Sequence, residues 1–306
     1  MTTIAAAVVV ACVLYFALCD FVVSSSLEPI RNPPDQTPAD AGLVAEDVRF
    51  ESADDRIPLA GWLIAAAPDR AVVLLHGLGG NSWTGALQDI AGEYVAADFT
   101  VLVFDFRGHG RSGGERLGLG WDERRDVRAA VDLLLGRDFK AGRIGVHGVS
   151  YGAATALLAA ASIPEIGAVV ADSAFADACD VMDAEIVRQT GIPAWAVRFM
   201  RPGIVLIARL RYGLDLDAIP PERAVSAIAP RPILFIHGED DDIIPVEHGR
   251  RLEAASSNPV DELWVIPGCH TEGVRMLPTR CEMTEPSPTR DAYLSKVVAF
   301  FDATLR

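Results

Sequence analysis

The sequence predicts an α/β fold in which helices cover both faces of a mainly parallel central sheet. Short, continuous apolar runs recur along the chain and end in glycine or a polar residue, as strands buried on both faces do. Segments with helical periodicity separate these runs, which is the order expected for parallel strands joined by crossover helices. The length of 306 residues and the 50% share of hydrophobic residues are enough to bury a sizeable core.

The chain opens with an apolar segment, residues 4–23, in which Asp20 is the only charged residue. About 20 residues at ~1.5 Å rise each span the ~30 Å hydrocarbon layer of a bilayer. The segment is longer than the usual core of a cleaved signal, no basic residue precedes it, and no clear cleavage site follows. We therefore predict a single-pass membrane anchor over residues 1–23, with secretion after signal cleavage, or a buried helix, as alternatives.

Residues 24–45 contain four prolines and little apolar periodicity, which is typical of an extended linker. The globular domain is then expected over residues 46–306. Within it, residues 177–221 interrupt the strand–helix alternation with apolar helical segments. We predict that they form a cap over the carboxyl edge of the sheet, where their apolar side chains line a substrate pocket or pack against the main domain.

The hydrophobic pattern places the other elements of the domain in order. Residues 46–66 alternate like a hairpin, with Asp54 and Asp55 at its turn. A helix is predicted between Asp122 and Gly136, where glycine closes the apolar repeat. The last helix carries Tyr293, Val297, Phe300 and Phe301 on one face. The buried strands are predicted within residues 70–77, 99–108, 142–148, 166–173, 231–238 and 261–268.

Charge and cysteine usage exclude several classes of partner. A formal net charge of −15 repels phosphate backbones, so no nucleic-acid partner is predicted. The five cysteines form no C-x-x-C pair, and the acidic residues 239–242 lack the glycine spacing of a calcium loop, so neither a metal nor another cofactor is predicted. Cys269 and Cys281 would pair in an oxidising compartment, and free thiols are the equal alternative.

Reactive side chains follow three of the predicted strands. Ser150 follows the strand in residues 142–148, an acidic run follows the strand in 231–238, and His270 follows the strand in 261–268. Sheets of this kind place ligands at the carboxyl ends of their strands. The chain order Ser…Asp…His is the one expected of an α/β-hydrolase catalytic triad.

The surroundings of Ser150 match the needs of a nucleophile. A serine hydroxyl needs a nearby base and must project from the backbone toward the substrate. A sharp strand-to-helix turn provides that projection but crowds the residues two before and two after the serine. Both positions, Gly148 and Gly152, are glycine, and the helix that follows directs its N-terminal N–H groups at the site.

The base and the acid are chosen among several candidates. Of the six histidines, His270 follows the last strand and the acidic run, and His248 on a predicted helix is the rival. The acid lies among Glu239, Asp240, Asp241 and Asp242, which follow the His237–Gly238 pair; the choice of Asp241 among them depends on the family resemblance given below. The backbone N–H groups of Leu78 and Tyr151 are the expected donors to an oxyanion.

A second glycine pattern formally matches a dinucleotide-binding fingerprint. Gly108, Gly110 and Gly113 follow a predicted strand at the G-x-G-x-x-G spacing. The helix does not open at the third glycine, however, and this is not the first strand–helix turn of the domain. The pattern therefore does not predict a nucleotide cofactor.

Five motifs together, HGLGGN, DFRGHGRSGG, GVSYG, HGEDDDIIP and GCH, resemble the α/β-hydrolase superfamily. Within it, residues 46–306 are similar to BEM46-like hydrolases and to serine aminopeptidase (S33)-type hydrolases. The resemblance implies Ser150 as nucleophile, His270 as base, Asp241 as acid and the Leu78 and Tyr151 N–H groups as the oxyanion hole. Two features depart from the family pattern: Cys269 stands where glycine is frequent, and residues 271–288 form a longer loop.

These observations predict a membrane-bound serine hydrolase of the carboxylesterase type. It is expected to cleave a carboxylester or thioester bond of a small acyl substrate through an acyl-enzyme and without a cofactor. A serine peptidase or amidase with the same residues is one alternative. A membrane-tethered binding protein on the same fold, without catalysis, is the other.

Overall fold

The computed structural model describes residues 2–66, 69–218, 220–271 and 290–306. One eight-stranded sheet, in the order β1-β2-β4-β3-β5-β6-β7-β8, runs through the molecule. The first two strands pair antiparallel and the other six lie parallel, so the predicted mainly parallel α/β-hydrolase sheet is confirmed. The strands are β1 (Ala45–Glu51), β2 (Pro58–Ile64), β3 (Ala71–Leu75), β4 (Thr100–Asp105), β5 (Ile144–Val149), β6 (Ile166–Asp172), β7 (Ile233–Gly238) and β8 (Glu262–Ile266).

Helices cover both faces of this sheet, as the alternating sequence pattern predicts. On one face α3 and α4 bury apolar side chains such as Val131 and Leu157. On the other face α2 and α9 contribute Tyr94, Val297 and Phe301. The helices are α1 (Thr2–Ser26), α2 (Gly85–Ala96), α3 (Arg124–Leu135), α4 (Tyr151–Ala160), α5 (Ala178–Thr190), α6 (Ala194–Tyr212), α7 (Pro221–Ala224), α8 (Glu247–Ala255) and α9 (Arg290–Thr304).

Three local details differ from the sequence-based expectation. β8 is only partly buried because it lies at the edge of the sheet and has a neighbour on one side. Gly136 keeps right-handed helical angles, and the left-handed residue after α3 is Asp138 at φ +70°. On α9, Leu294 is buried with Tyr293, whereas Phe300 is only half-buried.

The segment predicted as a linker contains a short 3-10 helix, Pro38–Ala41, and is bonded to the domain. α1 continues to Ser26, and the backbone then passes along the loops that follow β3 and β4. The N–H of Ile30 donates to the carbonyl of Gly108, and the carbonyl of Leu27 accepts from the N–H of Leu117. These bonds fix the first residues after α1 against the main domain.

The chain between β6 and β7, where a cap is predicted, forms α5, α6 and α7. Arg251 on α8 joins this unit to the domain through ion pairs with Asp180 on α5 and Glu222 on α7. A separate apolar cluster, with Cys19 and Val23 of α1 at its centre, fills the space between α1, α6 and the domain. The unit is therefore held both by charge pairs and by packing against α1.

A buried charge cluster follows β4. The guanidinium of Arg107, 3% exposed, pairs with fully buried Asp126 at 2.7 Å and with Asp55 at 2.7 Å. Ser52 accepts a further hydrogen bond from Arg107 at 2.7 Å. Because the Arg107 guanidinium bonds to residues of both segments, the cluster joins the β1–β2 turn to α3.

Replacing Arg107 with alanine leaves the Asp126 carboxylate buried without its counter-charge. Breaking a buried pair in this way costs about 3–5 kcal/mol, so we expect Arg107→Ala to lower the free energy of unfolding by that amount in urea titrations. Arg143→Ala, which removes an exposed pair with Asp69, is the matched control and is expected to cost under about 1 kcal/mol. Equal losses for the two variants would contradict the assignment.

Candidate active site

Ser150 lies in the tight turn between β5 and α4, with φ +54° and ψ −117°. A Cβ on Gly148 would lie 2.2 Å from the carbonyl oxygen of Gly152, and one on Gly152 would lie 2.5 Å from that of Leu75. Both positions therefore admit only glycine, as the sequence pattern predicts. The N–H of Ser150 donates to the carbonyl of Asp172 at 2.7 Å, which ties the turn to the end of the next strand.

The structure brings Ser150, His270 and Asp241 into one hydrogen-bonded chain. Nε2 of His270 lies 2.9 Å from Oγ of Ser150, and Nδ1 of His270 lies 2.7 Å from Oδ2 of Asp241. An ionised carboxylate only accepts hydrogen bonds, so Nδ1 carries the proton and Nε2 is left as the acceptor for the serine hydroxyl. This arrangement suits a base that removes the hydroxyl proton.

The carboxylate of Asp241 is held in its ionised form. Burial alone would raise its pKa, but hydrogen bonds from His237 and His270 outweigh burial and lower the pKa to about 2. Its second oxygen accepts the backbone N–H groups of Ile243 and Ile244 at 2.9 and 2.7 Å. The charge and the orientation of Asp241 are thus both fixed at neutral pH.

The rival histidine, His248, has a different role. Its Nδ1 accepts the N–H of Ala176 at 3.1 Å, and burial lowers its pKa. His237 donates from Nε2 to the carbonyl of Ile244 at 2.7 Å. His237 thus holds the loop that carries the acid, His248 joins α8 to the segment after β6, and His270 is the histidine that contacts Ser150.

The loop after β3, which carries Leu78, lies beside the serine. A Cβ built on Gly77 would lie 3.5 Å from Cβ of Ser150. Within the residues that the structure describes, the N–H groups of Leu78 and Tyr151 donate to no protein acceptor. The role of these two groups as oxyanion donors stays a prediction.

Two neutral histidines fix this loop. His76 accepts the N–H of Phe106 at Nε2 and donates from Nδ1 to the carbonyl of Gly77. His109 likewise donates from Nδ1 to the carbonyl of Arg107, and its Nε2 accepts the N–H of Gly79 at 3.4 Å. Burial lowers the pKa of His76, and it lowers the pKa of His109 to about 3, so neither ring competes for a proton in catalysis.

Sequence reasoning missed a buried network at the end of β6. Tyr293 and Ser173 each donate to the carboxylate of Asp172, at 2.8 and 2.9 Å. The hydroxyl of Ser173 also accepts the N–H of Thr271, the residue after the histidine, at 3.1 Å. This network holds the backbone that carries His270. The position of Asp172 after a buried strand is the signal that could have revealed it.

Glu123 is a second group that the sequence did not reveal. Its buried carboxyl group accepts the N–H groups of Gly118 and Gly120, and the hydroxyl of Tyr151 accepts the Gly120 N–H at 3.0 Å. Burial, reinforced by the charge of Asp126, raises the pKa of Glu123 to about 7. A carboxyl group with a pKa near neutrality therefore lies beside the hydroxyl of Tyr151, the first residue of α4.

The glycine-rich loop after β4 is filled by protein atoms. A Cβ on Gly110 would lie 2.4 Å from the carboxylate of Asp105, and one on Gly113 would lie 2.7 Å from Pro58. These glycines therefore permit close packing within the protein. In the described part of the chain, no three histidine, cysteine or carboxylate side chains are grouped so that they would hold a metal ion.

Cys269 and the long loop that follows it are the two departures from the family pattern. Cys269 is buried and disulfide-bonded. Cys281 and nearly all of the long loop predicted over residues 271–288 lie outside the described residues. The pairing of Cys269 with Cys281 and the effect of the loop on access to His270 stay predictions.

Comparison with known proteins places this geometry in a family. Residues 38–204 match the family model described as X-Pro dipeptidyl-peptidase (S15 family). The chain belongs to this family. The S15 model lies within the α/β-hydrolase superfamily, so the superfamily assignment made from the motifs is confirmed, and the chain is a hydrolase of that fold.

Individual relatives of this S15-family chain include esterases and a lipase. The chain is 32% identical to YqkD of Bacillus subtilis over 61% of its own length and 60% of YqkD. It is 26% identical to the monoacylglycerol lipase of Mycolicibacterium smegmatis over 71% of this chain and 86% of the lipase. The esterase Pf2001 of Pyrococcus furiosus superposes with a TM-score of 0.74 at 26% identity, covering 92% of this chain and 99% of the esterase.

Glu123 makes the stability of the S15-family hydrolase depend on pH. Its pKa is raised from 4.5 to about 7 on folding, so the stability that its protonated form contributes is present below pH 4.5 and is lost as the pH rises through 7. As the pH rises from 4.5 to 7, we expect the free energy of unfolding of Glu123→Gln to increase by on the order of 3 kcal/mol relative to that of wild type. Urea titrations at several pH values measure the difference.

Glu46 provides a control of opposite sign. Its exposed carboxylate has a pKa lowered by a hydrogen bond from Arg137, so it contributes stability in its ionised form. Glu46→Gln is therefore expected to lose stability relative to wild type as the pH rises through the acid range. A constant difference between Glu123→Gln and wild type across the interval would refute the role assigned to burial.

Proposed function

We propose that this chain is a serine hydrolase that cleaves ester-type bonds, carboxylester or thioester, of a small acyl substrate. The observation that carries the proposal is the continuous chain from Asp241 through His270 to the Ser150 hydroxyl, with contacts of 2.7 and 2.9 Å. The hydroxyl belongs to a turn that projects it from the sheet edge, and the protonation of the ring follows from its carboxylate partner. These are the requirements of an activated nucleophile.

The first half of the reaction forms an acyl-enzyme. Oγ of Ser150 attacks the substrate carbonyl carbon while its proton passes to Nε2 of His270. The carbonyl oxygen becomes an oxyanion that accepts the N–H groups of Leu78 and Tyr151, and donors of this kind contribute roughly 2.7–4 kcal/mol each to transition-state stability. His270 then returns the proton to the departing alcohol or thiol as the bond to the acyl carbon breaks.

The second half of the reaction releases the carboxylic acid product. A water molecule gives a proton to Nε2 of His270 and attacks the acyl carbon, and the bond to Oγ of Ser150 breaks as the proton returns to the serine. Asp241 takes up no proton in either half, since its low pKa leaves it ionised; it orients the ring and stabilises the imidazolium. Atoms balance with water as the only co-substrate.

An ester-type substrate is favoured by the relatives whose names state an activity. The Mycolicibacterium smegmatis protein is named a monoacylglycerol lipase, and the Pyrococcus furiosus structure is named an esterase. Both are similar to this chain over most of their own length. Their activities support carboxylester hydrolysis here as the first reaction to measure.

A peptidase or amidase is the second candidate, and the family itself favours it. The matching family model carries the name of an X-Pro dipeptidyl-peptidase. The same serine, histidine and acid would cleave an amide, because only the leaving group changes from an alcohol to an amine. The two candidates therefore use the same catalytic residues and differ in whether esters or amides are hydrolysed faster.

We also propose that the hydrolase is membrane-bound. The helix Thr3–Ser26 has a mean hydropathy of 2.5 in its most apolar window, of which 11% is buried. Length and composition suit a membrane anchor or a signal sequence. In this proposal residues 1–23 anchor the chain, residues 24–45 lead to the hydrolase domain over 46–306, and residues 177–221 form its cap.

Replacing the nucleophile separates catalysis from folding. Ser150→Ala is expected to lower kcat for p-nitrophenyl acetate by roughly 10⁴-fold or more while circular dichroism and the unfolding midpoint stay close to wild type. Ser162→Ala, an exposed serine just after α4, is the matched control and should keep full activity. A wild-type rate from Ser150→Ala would end the proposal, and so would failure of a fluorophosphonate probe to label the wild-type serine.

Paired substrates distinguish the two reactions. We expect kcat/KM for p-nitrophenyl esters to exceed that for the p-nitroanilide of glycyl-proline by at least about 10²-fold, because an ester has the better leaving group and two relatives act on esters. A series of acyl chain lengths measured with the same enzyme defines the preferred substrate. Faster turnover of the anilide would favour the peptidase.

A further inference from the structure

The outer face of α6 is an apolar stripe exposed to solvent. Trp195, Phe199, Leu206 and Leu210 are 73, 69, 42 and 74% exposed, and Pro202 between them is also exposed. Their spacing of three or four residues places them along one side of the helix. An exposed stripe of large apolar side chains over a 19-residue helix marks an interaction surface.

The inner face of α6 is joined to α1 by an unusual hydrogen bond. The Tyr15 hydroxyl donates to the carbonyl of Phe199 at 3.1 Å and accepts the N–H of Gly203 at 3.1 Å. These two backbone groups pair directly in a regular α-helix. They lie next to Pro202, which has no N–H to donate, so α1 supplies a hydroxyl at the one turn of α6 that a proline weakens.

The contact between the two helices is close. A Cβ on Gly203 would lie 2.6 Å from Sγ of Cys19 and 2.7 Å from the Tyr15 ring, so only glycine permits this approach. Cys19 and Val23 are buried with Met200 and Ile204, and Asp20 pairs with Arg211. α1 and α6 are therefore one packed unit, in which neither helix can move into another environment alone.

The length of α1 determines where this unit must lie. Residues 3–14 are exposed on every side, and these twelve residues cover only about 18 Å. Crossing the ~30 Å hydrocarbon layer takes about 20 residues, so a span that begins at Ile4 reaches Val23. Tyr15 and Cys19 lie inside that stretch, and the residues of α6 that touch them lie at the same depth.

We infer that the apolar stripe of α6 is immersed in a lipid bilayer beside α1, so that the cap of this hydrolase is seated in the membrane. The partner is the acyl region of the bilayer itself. The inference concerns a surface outside the catalytic residues, and it holds whichever bond the enzyme cleaves. Polar groups at this depth need internal partners, and the Tyr15 hydroxyl has them in the backbone of α6. One oxygen of Asp20 pairs with Arg211, whereas its other oxygen has no partner among the described residues.

Charge at the edge of the stripe favours lipid over a second copy of the chain. Arg198 and Arg209 are exposed and project on one side of the stripe, by the 100° turn per residue of a helix. Long arginine side chains next to an apolar face extend toward lipid phosphates. Arg209 also pairs with Asp215 at 3.6 Å, so Arg198 is the cation at this edge that we assign to an anionic headgroup.

The same unit is tied to the catalytic loop. Asn32, six residues after the end of α1, donates from its side chain to the carbonyl of Gly79, and the Asn81 side chain donates to the carbonyl of Asn32. Leu78, next to Gly79, is half-exposed. Seating α1 and α6 in a bilayer therefore holds the loop of the proposed oxyanion hole close to the lipid surface.

Fluorescence quenching tests the immersion directly. The full chain is reconstituted into phosphatidylcholine vesicles with or without bromine on the acyl chains, and the Trp195 signal is the difference between wild type and Trp195→Phe. We expect brominated lipid to quench this component by at least about twofold and aqueous acrylamide to quench it little. Trp264→Phe, at a partly buried position on β8, is the matched control and should retain the quenching by brominated lipid.

A charge on the stripe provides the second measurement. Leu210→Glu should reduce the quenching of Trp195 by brominated lipid, while Val260→Glu, at a similarly exposed apolar position away from α6, should not. Full quenching by acrylamide would place the stripe in water and overturn the inference. Protection of Trp195 from both quenchers, together with cross-linked dimers in the vesicles, would show that a second copy of the chain covers the stripe. That result would also overturn the inference.

Discussion

The close packing of the turn between β5 and α4 is the constraint on which the site depends. Gly148, Gly152 and the carbonyl of Leu75 approach so closely that no side chain fits between them. The serine between these glycines adopts a positive φ, a conformation that costs roughly 1–3 kcal/mol for such a residue. The buried strands on either side supply the packing that maintains it, and the result is a hydroxyl exposed at the sheet edge with a helix starting behind it.

Electrostatics around this turn follows from burial. Asp241 stays ionised because histidine and backbone donors surround it, whereas Glu123 is buried with a second carboxylate nearby and holds its proton to about pH 7. His109 and His147 are buried without a compensating charge strong enough to protonate them, and the pKa of each falls to about 3. Asp241 thus carries the negative charge that contacts the His270 ring, and the rings of His109 and His147 stay neutral.

Local patterns in the sequence were enough to predict the strands, the glycine-flanked serine and the histidine after the last strand. Each of these depends on residues that are neighbours along the chain, such as an apolar run that ends in glycine. The acid was harder, since four carboxylates follow β7, and the choice of Asp241 relied on family resemblance. The structure brings that residue next to His270.

Contacts between distant residues could not be predicted. The bond between Ser173 and Thr271 joins segments that are 98 residues apart and that no periodicity connects. The insertion of Tyr15 at Pro202 depends on two helices that lie about 180 residues apart in the chain. Proline and glycine in α6 are visible in the sequence, but only the packing shows that they accommodate a tyrosine from α1.

The residues between α1 and β1 form hydrogen bonds with the loops that follow β3 and β4. Ile30 pairs with His109 in a β-bridge and donates to Gly108, and Asn32 and Asn81 connect this segment with Gly79. A shortened chain that begins at residue 46 would remove these partners from both loops that lie beside Ser150. Residues 27–44 are thus part of the structure that supports those loops, and a chain without them would hold the surroundings of the serine differently.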